Sequence, residues 1–168
     1  MKNPYQSIHN IAEICARKGI NQVILCPGSR CAPLTLAFAR HLGIQTRTIP
    51  DERSAAFIAL GIAQEKKSPA VLVCTSGSAA YNFAPAVAEA HFNQTPLIII
   101  TADRPAEWIG QQDGQTIYQQ GLYGKHVKQS YQLPQEYEHI DNQWAINRII
   151  NEAINLSFQE PQGPVHIN

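Results

Sequence analysis

Three short, almost continuously apolar runs constrain the fold of this chain more than any other feature of its sequence. They are "QVILC", "PAVLVCT" and "PLIIIT", and none of them alternates polar with apolar residues along its length. Strands of this kind are covered on both faces, as they are in parallel sheets. Helical segments separate them, which is typical of α/β proteins. We therefore predict an α/β fold, a doubly wound, mainly parallel sheet of about six strands with helices on both faces.

Proline and glycine mark where the helices begin and end. "NPYQSIHNIAEICARKG" is predicted to be a helix with Pro4 near its first turn, and "APLTLAFARHLG" a second one. A third is expected over residues 53–64, and Pro85 is expected to kink or divide a fourth over residues 78–92. In the last helix, "DNQWAINRIINEAINLSF", helical spacing relates a set of apolar residues, namely Trp144, Ile146, Ile149, Ile150, Ala153 and Ile154.

Two further strands are expected at "IQTRTI" and "GPVHIN". The least regular part of the chain, residues 103–124, is rich in Gln and Gly and is predicted to be a long loop. Long ordered loops in compact domains are usually functional, although surface disorder is the alternative.

Size and charge exclude several classes of protein. The 168 residues suffice for one domain, and thirteen basic residues balance thirteen acidic ones with no run of like charge. A nucleic-acid surface would need a basic stripe, so no nucleic-acid partner is expected. No apolar run approaches the roughly 20 residues of a membrane span, and we expect a cytoplasmic location.

The cysteines and histidines give no sign of a metal site within this chain. The six histidines lack ligand spacing, and the four cysteines include no C-x-x-C pair. We expect the cysteines to be reduced, buried, small apolar residues.

Two predicted helical stretches, residues 55–63 and 79–90, are small and apolar nearly all round. Helices of that kind are covered on more than one side. In a domain of this size, part of the cover is expected to come from another domain or subunit.

Polar residues follow the ends of four predicted strands, at 27–30, 51–53, 75–78 and 101–105. The carboxyl ends of strands form the ligand-binding edge of a doubly wound sheet, so these residues predict a site. No G-x-G-x-x-G or P-loop motif is present, and "SGS" does not match the G-x-S-x-G elbow of hydrolases. Backbone N–H groups of "TSGSA" are suited to an anion, but capping by Ser76 or Ser78 explains the segment equally well.

Arg30 and Arg104 are predicted to stand at this edge on different strands. Guanidinium groups there suit a bidentate grip on carboxylates or phosphate. The alternative for each is a structural ion pair with Asp51 or Asp103.

The stretches "CPGSRCAPLTLAF", "DERSAAFIALGIA", "TSGSAAYNFAPAVAEA" and "TADRPAEWIGQQDGQTIYQQGLYG" carry a resemblance. They resemble the N-terminal, pyrimidine-binding domain of the 2-succinyl-5-enolpyruvyl-6-hydroxy-3-cyclohexene-1-carboxylate synthase family, the thiamine-diphosphate enzymes of menaquinone biosynthesis. The resemblance extends over essentially the whole chain, residues 1–168. It implies a transferase that decarboxylates 2-oxoglutarate and adds the succinyl unit to isochorismate.

The resemblance also implies roles for individual residues. The family's catalytic glutamate matches Glu52, which would hydrogen-bond N1′ of the cofactor's aminopyrimidine and favour its imino tautomer. That role needs a carboxyl group able to share a proton near neutral pH. Gly114 stands where some relatives carry Asn, so this chain departs from the family pattern on the isochorismate side. The remaining residues implied are Pro27, Thr75, Ser76 and Gly77 at the cofactor, and Ser29, Arg30, Arg104 and Gln115 at the substrate acids.

By the same resemblance, Mg²⁺ and the cofactor's diphosphate are held by a Gly-Asp-Gly…Asn segment in a C-terminal domain. This chain has no such segment. We therefore expect a piece of a longer protein, inactive alone, whose site is completed by the C-terminal domain of a second subunit in a homo-oligomer, a dimer or tetramer. Two alternatives stay open: another thiamine-diphosphate decarboxylase or carboligase, and a non-catalytic anion-binding or assembly domain.

Overall fold

The computed structural model of the chain describes residues 5–136 and 138–168. Pro4, expected near the first helical turn, lies outside the described residues. Within them, six strands are found, at β1 (Gln22–Leu25), β2 (Gln45–Thr48), β3 (Ala70–Cys74), β4 (Leu97–Thr101), β5 (Ser130–Tyr131) and β6 (Val165–Ile167). The described residues also form six α-helices, namely α1 (Gln6–Arg17), α2 (Ala32–Ala39), α3 (Glu52–Lys66), α4 (Ser78–Asn82), α5 (Ala84–Phe92) and α6 (Ile140–Phe158).

The strands form one sheet in the order β2-β1-β3-β4-β6-β5, and every neighbouring pair is parallel. The predicted α/β class and the doubly wound, parallel sheet are thus confirmed. β5 has no counterpart among the strands expected from the sequence, because its two partly exposed residues form no apolar run.

The helices form two layers, one on each face of the sheet. α3, α4 and α5 pack on one face, where alanines meet Ile24, Leu72, Leu97 and Ile99. α1, α2 and α6 pack on the other, against Val23, Val71, Ile98 and Val165. The central strands are therefore buried on both faces, which is the reason for their continuous apolar sequences.

Pro85 divides the fourth predicted helix, as expected. α4 ends at Asn82, and α5 begins at Ala84 with the proline in its first turn. Proline fits a first turn because its missing N–H would have no helical partner there.

In α6, not every apolar residue at helical spacing is packed against the rest of the fold. Ile146, Ile150, Ala153 and Ile154 are buried, but Trp144 is 66% exposed. The indole instead lies beneath the guanidinium of Arg148, 5.8 Å from the ring centroid.

Among the described residues, no helix has both the length and the apolar character needed to cross a membrane.

Candidate functional site

The strand order reverses at β1, whose two neighbours are β2 on one side and β3 on the other. A crevice at the carboxyl ends of the strands is expected at such a point. There the turn after β1 approaches the end of β3 very closely: a Cβ on Gly28 would stand 2.5 Å from the Cβ of Thr75. Only glycine permits this approach, so the "PGSR" segment is shaped to bring two loops together.

Asp51 and Glu52 stand side by side at the start of α3 but have different surroundings. The Asp51 carboxylate caps the helix, accepting a hydrogen bond from the Ser54 N–H at 2.7 Å. Hydrogen bonding from Ser54 lowers the pKa of Asp51. The Glu52 carboxyl is partly exposed and makes no hydrogen bond or ion pair with any described residue. The cap therefore needs only the aspartate, which leaves Glu52 available for a ligand.

Two buried thiols lie near Glu52. Burial raises the pKa of Cys26 to about 12, and the carboxylate of Glu52 adds to the rise. Burial also raises the pKa of Cys74, with a smaller contribution from Glu52. All four cysteines of the chain are buried free thiols, as expected. Protonated thiols packed among alanines give the surroundings of Glu52 an apolar floor.

The turn after β3 has two buried hydroxyl groups without partners. Thr75 Oγ1 and Ser76 Oγ are shielded from solvent and have no hydrogen-bond partner among the described residues. A buried hydroxyl without a partner costs free energy, so a ligand or a further chain that satisfied it would be stabilised there.

The structure contradicts capping by Ser76 or Ser78 as the explanation of "TSGSA", whereas the anion site expected there stays a prediction. Gly77 is the N-cap of α4, and neither Ser76 nor Ser78 caps the helix with its side chain. The Gly77 N–H is not free for an anion, since it donates to Gln119 Oε1 at 2.8 Å. Gly77 has a φ of +86°, and a Cβ there would stand 2.9 Å from the backbone of Gln115.

Gln119 joins three strand ends through one buried amide, 1% exposed. Besides accepting from Gly77 after β3, it donates to the Ala102 carbonyl after β4 at 3.0 Å and to Asn168 Oδ1 after β6 at 2.8 Å. Asn168 also accepts from Thr101 Oγ1 at 2.7 Å and donates to Asp103 Oδ2 at 2.8 Å. The long loop is thereby fastened to the edge of the sheet.

On the side of the sheet covered by α1, α2 and α6, a cleft of about 1130 Å³ opens at this edge. Ser29, Arg30 and Arg104 all line it, so three of the four predicted substrate residues are brought together. Gln115 does not line it; its side chain is exposed and its backbone packs against Gly77.

The two arginines of the cleft differ in their partners. Arg30 is exposed and has no ion pair with any described residue, so the alternative of a structural pair with Asp51 or Asp103 is not observed. Arg104 does have an acidic neighbour, but that neighbour is Asp113 from the long loop, at 3.5 Å between Nε and Oδ2. The side chain of Arg104 forms no ion pair with Asp103; only its backbone N–H donates to the Asp103 carboxylate.

Gln119, Asn168 and Asp113 are the polar residues of this edge that sequence reasoning missed. Asn168 directly follows the strand residues Val165–Ile167, and its position at a strand end was the signal available for it. Gln119 and Asp113 lie in the irregular loop, where no period relates a residue to its partner. Among the described residues, no cluster of His, Cys, Asp and Glu suited to a metal ion is found.

Residues 8–128 match the family described as thiamine pyrophosphate enzyme, N-terminal TPP binding domain. Curated relatives extend the match over nearly the whole chain. A protein of Cytophaga hutchinsonii is 56% identical over 97% of this chain and 29% of its own length. Proteins of Flavobacterium johnsoniae (48% identity, 95% of this chain, 28% of the relative) and Desulfotalea psychrophila (46%, 97% and 30%) are similar.

All three relatives are named 2-succinyl-5-enolpyruvyl-6-hydroxy-3-cyclohexene-1-carboxylate synthase. The chain spans less than a third of their length.

Proposed function

Because the chain belongs to the thiamine pyrophosphate enzymes, of which it carries the N-terminal TPP binding domain, we propose that it forms half of an active site. In this proposal the complete protein decarboxylates 2-oxoglutarate and joins the remaining succinyl unit to isochorismate. The observation that carries it is the unpartnered carboxyl of Glu52, near Cys26 and Cys74 at the ends of β1 and β3, in a chain whose relatives have the synthase name.

The residues of the crevice fit the pyrimidine half of thiamine diphosphate, the same compound as thiamine pyrophosphate. Glu52 offers a free carboxyl, and Thr75 and Ser76 offer buried hydroxyls without partners. Gly28 lets its turn approach the side chain of Thr75 closely, and Gly77 lets its turn approach the backbone of Gln115. Pro27 continues β1 into the same turn. When bound, the cofactor supplies the electron sink that lets a 2-oxo acid lose CO₂.

Glu52 is proposed to hold a proton at the ring nitrogen N1′ of the cofactor. A carboxyl group serves there because it donates a proton in one state and accepts it in the other. The floor of buried thiols and alanines restricts water on one side of Glu52. A second subunit is proposed to close the other side.

The cleft is proposed to bind the two acids. Arg30 and Arg104 suit carboxylates because the guanidinium group offers donors in a fixed fork, and Ser29 adds a hydroxyl to the same cleft. Gln115 does not line the cleft, so we propose that it contacts substrate only after its loop shifts on substrate binding.

Mg²⁺ and the diphosphate are proposed to lie on the C-terminal domain of a second subunit, since the family match covers only an N-terminal domain. Part of α3 is suited to that contact, because Phe57 and Ile58 are 43% and 41% exposed on a helix whose alanines are buried against the sheet. A homo-oligomer is therefore part of the proposal, as is a cytoplasmic location.

The proposal is tested with the full-length protein, thiamine diphosphate, Mg²⁺, 2-oxoglutarate and isochorismate. We expect isochorismate consumption with CO₂ release, and a loss of about 100-fold or more in kcat for Glu52→Gln. Asp51→Asn is the matched control, since asparagine caps helices as well as aspartate does and turnover should persist.

Equal losses in Glu52→Gln and Asp51→Asn would contradict the assigned role of Glu52. Decarboxylation without isochorismate consumption would move the function to another thiamine-diphosphate decarboxylase or carboligase. If the protein neither released CO₂ nor bound the cofactor, that result would favour a non-catalytic domain.

A further inference from the structure

The contact between Arg104 and Asp113 has a feature that an ordinary structural ion pair lacks. Nε of the arginine and Oδ2 of the aspartate are 3.5 Å apart, longer than a good hydrogen bond. Both atoms are buried, and neither has a hydrogen-bond partner among the described residues. The contact between these two atoms is therefore held by charge alone. Each atom would be stabilised by a partner with which it could form a hydrogen bond.

The loop conformation nevertheless fixes the position of Asp113 beside Arg104. The Arg104 Nη2 donates to the Gly114 carbonyl at 3.1 Å, so two consecutive loop residues contact one guanidinium. Thr116 Oγ1 donates to the Asp113 carbonyl and closes the turn. Gln112 and Gln115 flank it with φ values of +60° and +58°, which L-residues adopt only at a cost. The turn is built around the contact.

Arg104 also lines the cleft, whereas Asp113 does not. The side chain of Arg104 is 16% exposed and that of Asp113 is 33% exposed. A carboxylate entering the cleft would meet a guanidinium that is already partly neutralised by a loosely bonded internal acid.

We propose that Asp113 is an internal counter-anion of Arg104, which a substrate carboxylate must displace, and that it sets the selectivity of the cleft for polyanionic acids. The proposal rests on the proposed function, in which Arg104 binds substrate. A monocarboxylic acid would exchange one carboxylate for another at Arg104 and gain little. A di- or polycarboxylic acid also reaches the unpaired Arg30, so its binding outweighs the loss of Asp113.

The first test is Asp113→Asn in the full-length enzyme, which removes the charge and keeps the shape. The KM for 2-oxoglutarate or isochorismate should fall about two- to fivefold, as loss of a partly exposed competing charge implies. Activity with pyruvate should rise relative to the wild type. Glu107→Gln is the control: it removes one carboxylate from the same loop at an exposed position without contact to Arg104, and KM should not change.

A double-mutant cycle separates competition from a general change in charge. In an Arg104→Gln background, Asp113→Asn should have no further effect on KM, because the residue it competes for is gone. An Asp113→Asn effect that persists in this background overturns the proposal. So does a raised KM in the single variant, which would make Asp113 a residue that orients Arg104.

Amide hydrogen exchange gives a readout that needs no turnover. In the full-length protein, 2-oxoglutarate should speed exchange in the peptide containing residues 112–116, and Asp113→Asn should have the same effect without the acid. Slower or unchanged exchange on adding 2-oxoglutarate overturns the proposal. If isochorismate is not consumed but exchange responds as expected, the proposed function fails while the counter-anion role stands.

Discussion

At the scale of single residues, the buried amide of Gln119 shows how one side chain positions several loops. It satisfies the Gly77 N–H and donates to Ala102 and Asn168, so the turn proposed for the cofactor and the turn that carries Asp103 share one support. The hydrogen bonds are buried, where losing one partner leaves the other unsatisfied.

We predict that Gln119→Met destabilises the protein by about 1–3 kcal/mol, because the Gly77 N–H is left buried without an acceptor. Gln120→Met, at the exposed neighbouring position, is the control and should change stability by no more than about 0.5 kcal/mol. The measurement is thermal unfolding of the full-length protein, together with hydrogen exchange in the peptide containing Gly77. Equal protection of that peptide in both variants would show that Gln119 does not hold the turn.

Residue types at this edge were predictable, but their partners were not. Polar residues after apolar strands identified Arg30 and Arg104, and the structure places both in one cleft. The alternative for Arg104 was an ion pair with Asp51 or Asp103, yet the acid that faces it is Asp113, nine residues after Arg104 in the chain. Which acid meets the arginine depends on how the loop folds back, and composition does not encode that path.

At the scale of elements, the last strand contains a buried histidine that ties β4, β5 and β6 together. His166 is fully buried; its Nε2 is 2.8 Å from Thr101 Oγ1 and its Nδ1 is 3.1 Å from Ser130 Oγ. The ring of Tyr123 packs edge-on at 4.9 Å. Burial lowers the pKa of His166 from 6.5 to about 4.

This lowered pKa predicts a loss of stability in mild acid. Between pH 6.5 and 4 the unfolded chain binds a proton at His166 that the folded chain does not, so stability falls as pH falls through this window. The full loss is about 3 kcal/mol, reached near pH 4 and constant below it. His166→Gln should flatten this part of the stability profile, measured by thermal unfolding from pH 7 to 4.

The exposed His126 supplies the comparison, because His126→Gln should leave the slope between pH 6.5 and 4 as it is in the wild type. A wild-type slope in His166→Gln would show that the acid sensitivity arises elsewhere.

Helices and strands with strong patterns were predictable from the sequence, and the short or exposed ones were not. "QVILC" and "PLIIIT" became central strands because their residues need cover on both faces. β5 forms only because β6 offers it a free edge, and Trp144 is exposed although it shares the spacing of buried neighbours. In both cases tertiary contacts, absent from any local window, decided the outcome.

At the scale of the whole molecule, the helix layer formed by α3, α4 and α5 leaves apolar side chains uncovered. Phe57, Ile58 and Tyr81 are 43%, 41% and 54% exposed, on helices whose other faces are packed against the sheet. Together with the proposed half-site, this surface is the part of the chain best suited to a second subunit.

We predict that the double substitution Phe57→Ser and Ile58→Ser shifts the full-length protein toward monomers and lowers its cofactor affinity. Sedimentation velocity over a concentration series measures the first effect, and calorimetric titration with thiamine diphosphate and Mg²⁺ the second. Leu42→Ser is the control, because Leu42 is fully exposed in the turn between α2 and β2 and should not affect assembly. An unchanged oligomer in the double variant would place the subunit contact elsewhere.

By itself, the sequence determined the α/β class, the main strands and helices, and the strand ends at which polar residues gather. These follow from local periodicity and from the rule that carboxyl ends of parallel strands share one edge. Only the tertiary structure decided that Ser29, Arg30 and Arg104 share a cleft, that Glu52 stands free while Asp51 caps, and that Gln119 and Asp113 link the long loop to that edge. Such pairings join residues far apart in the chain, and their energies depend on burial and distance, which exist only after folding.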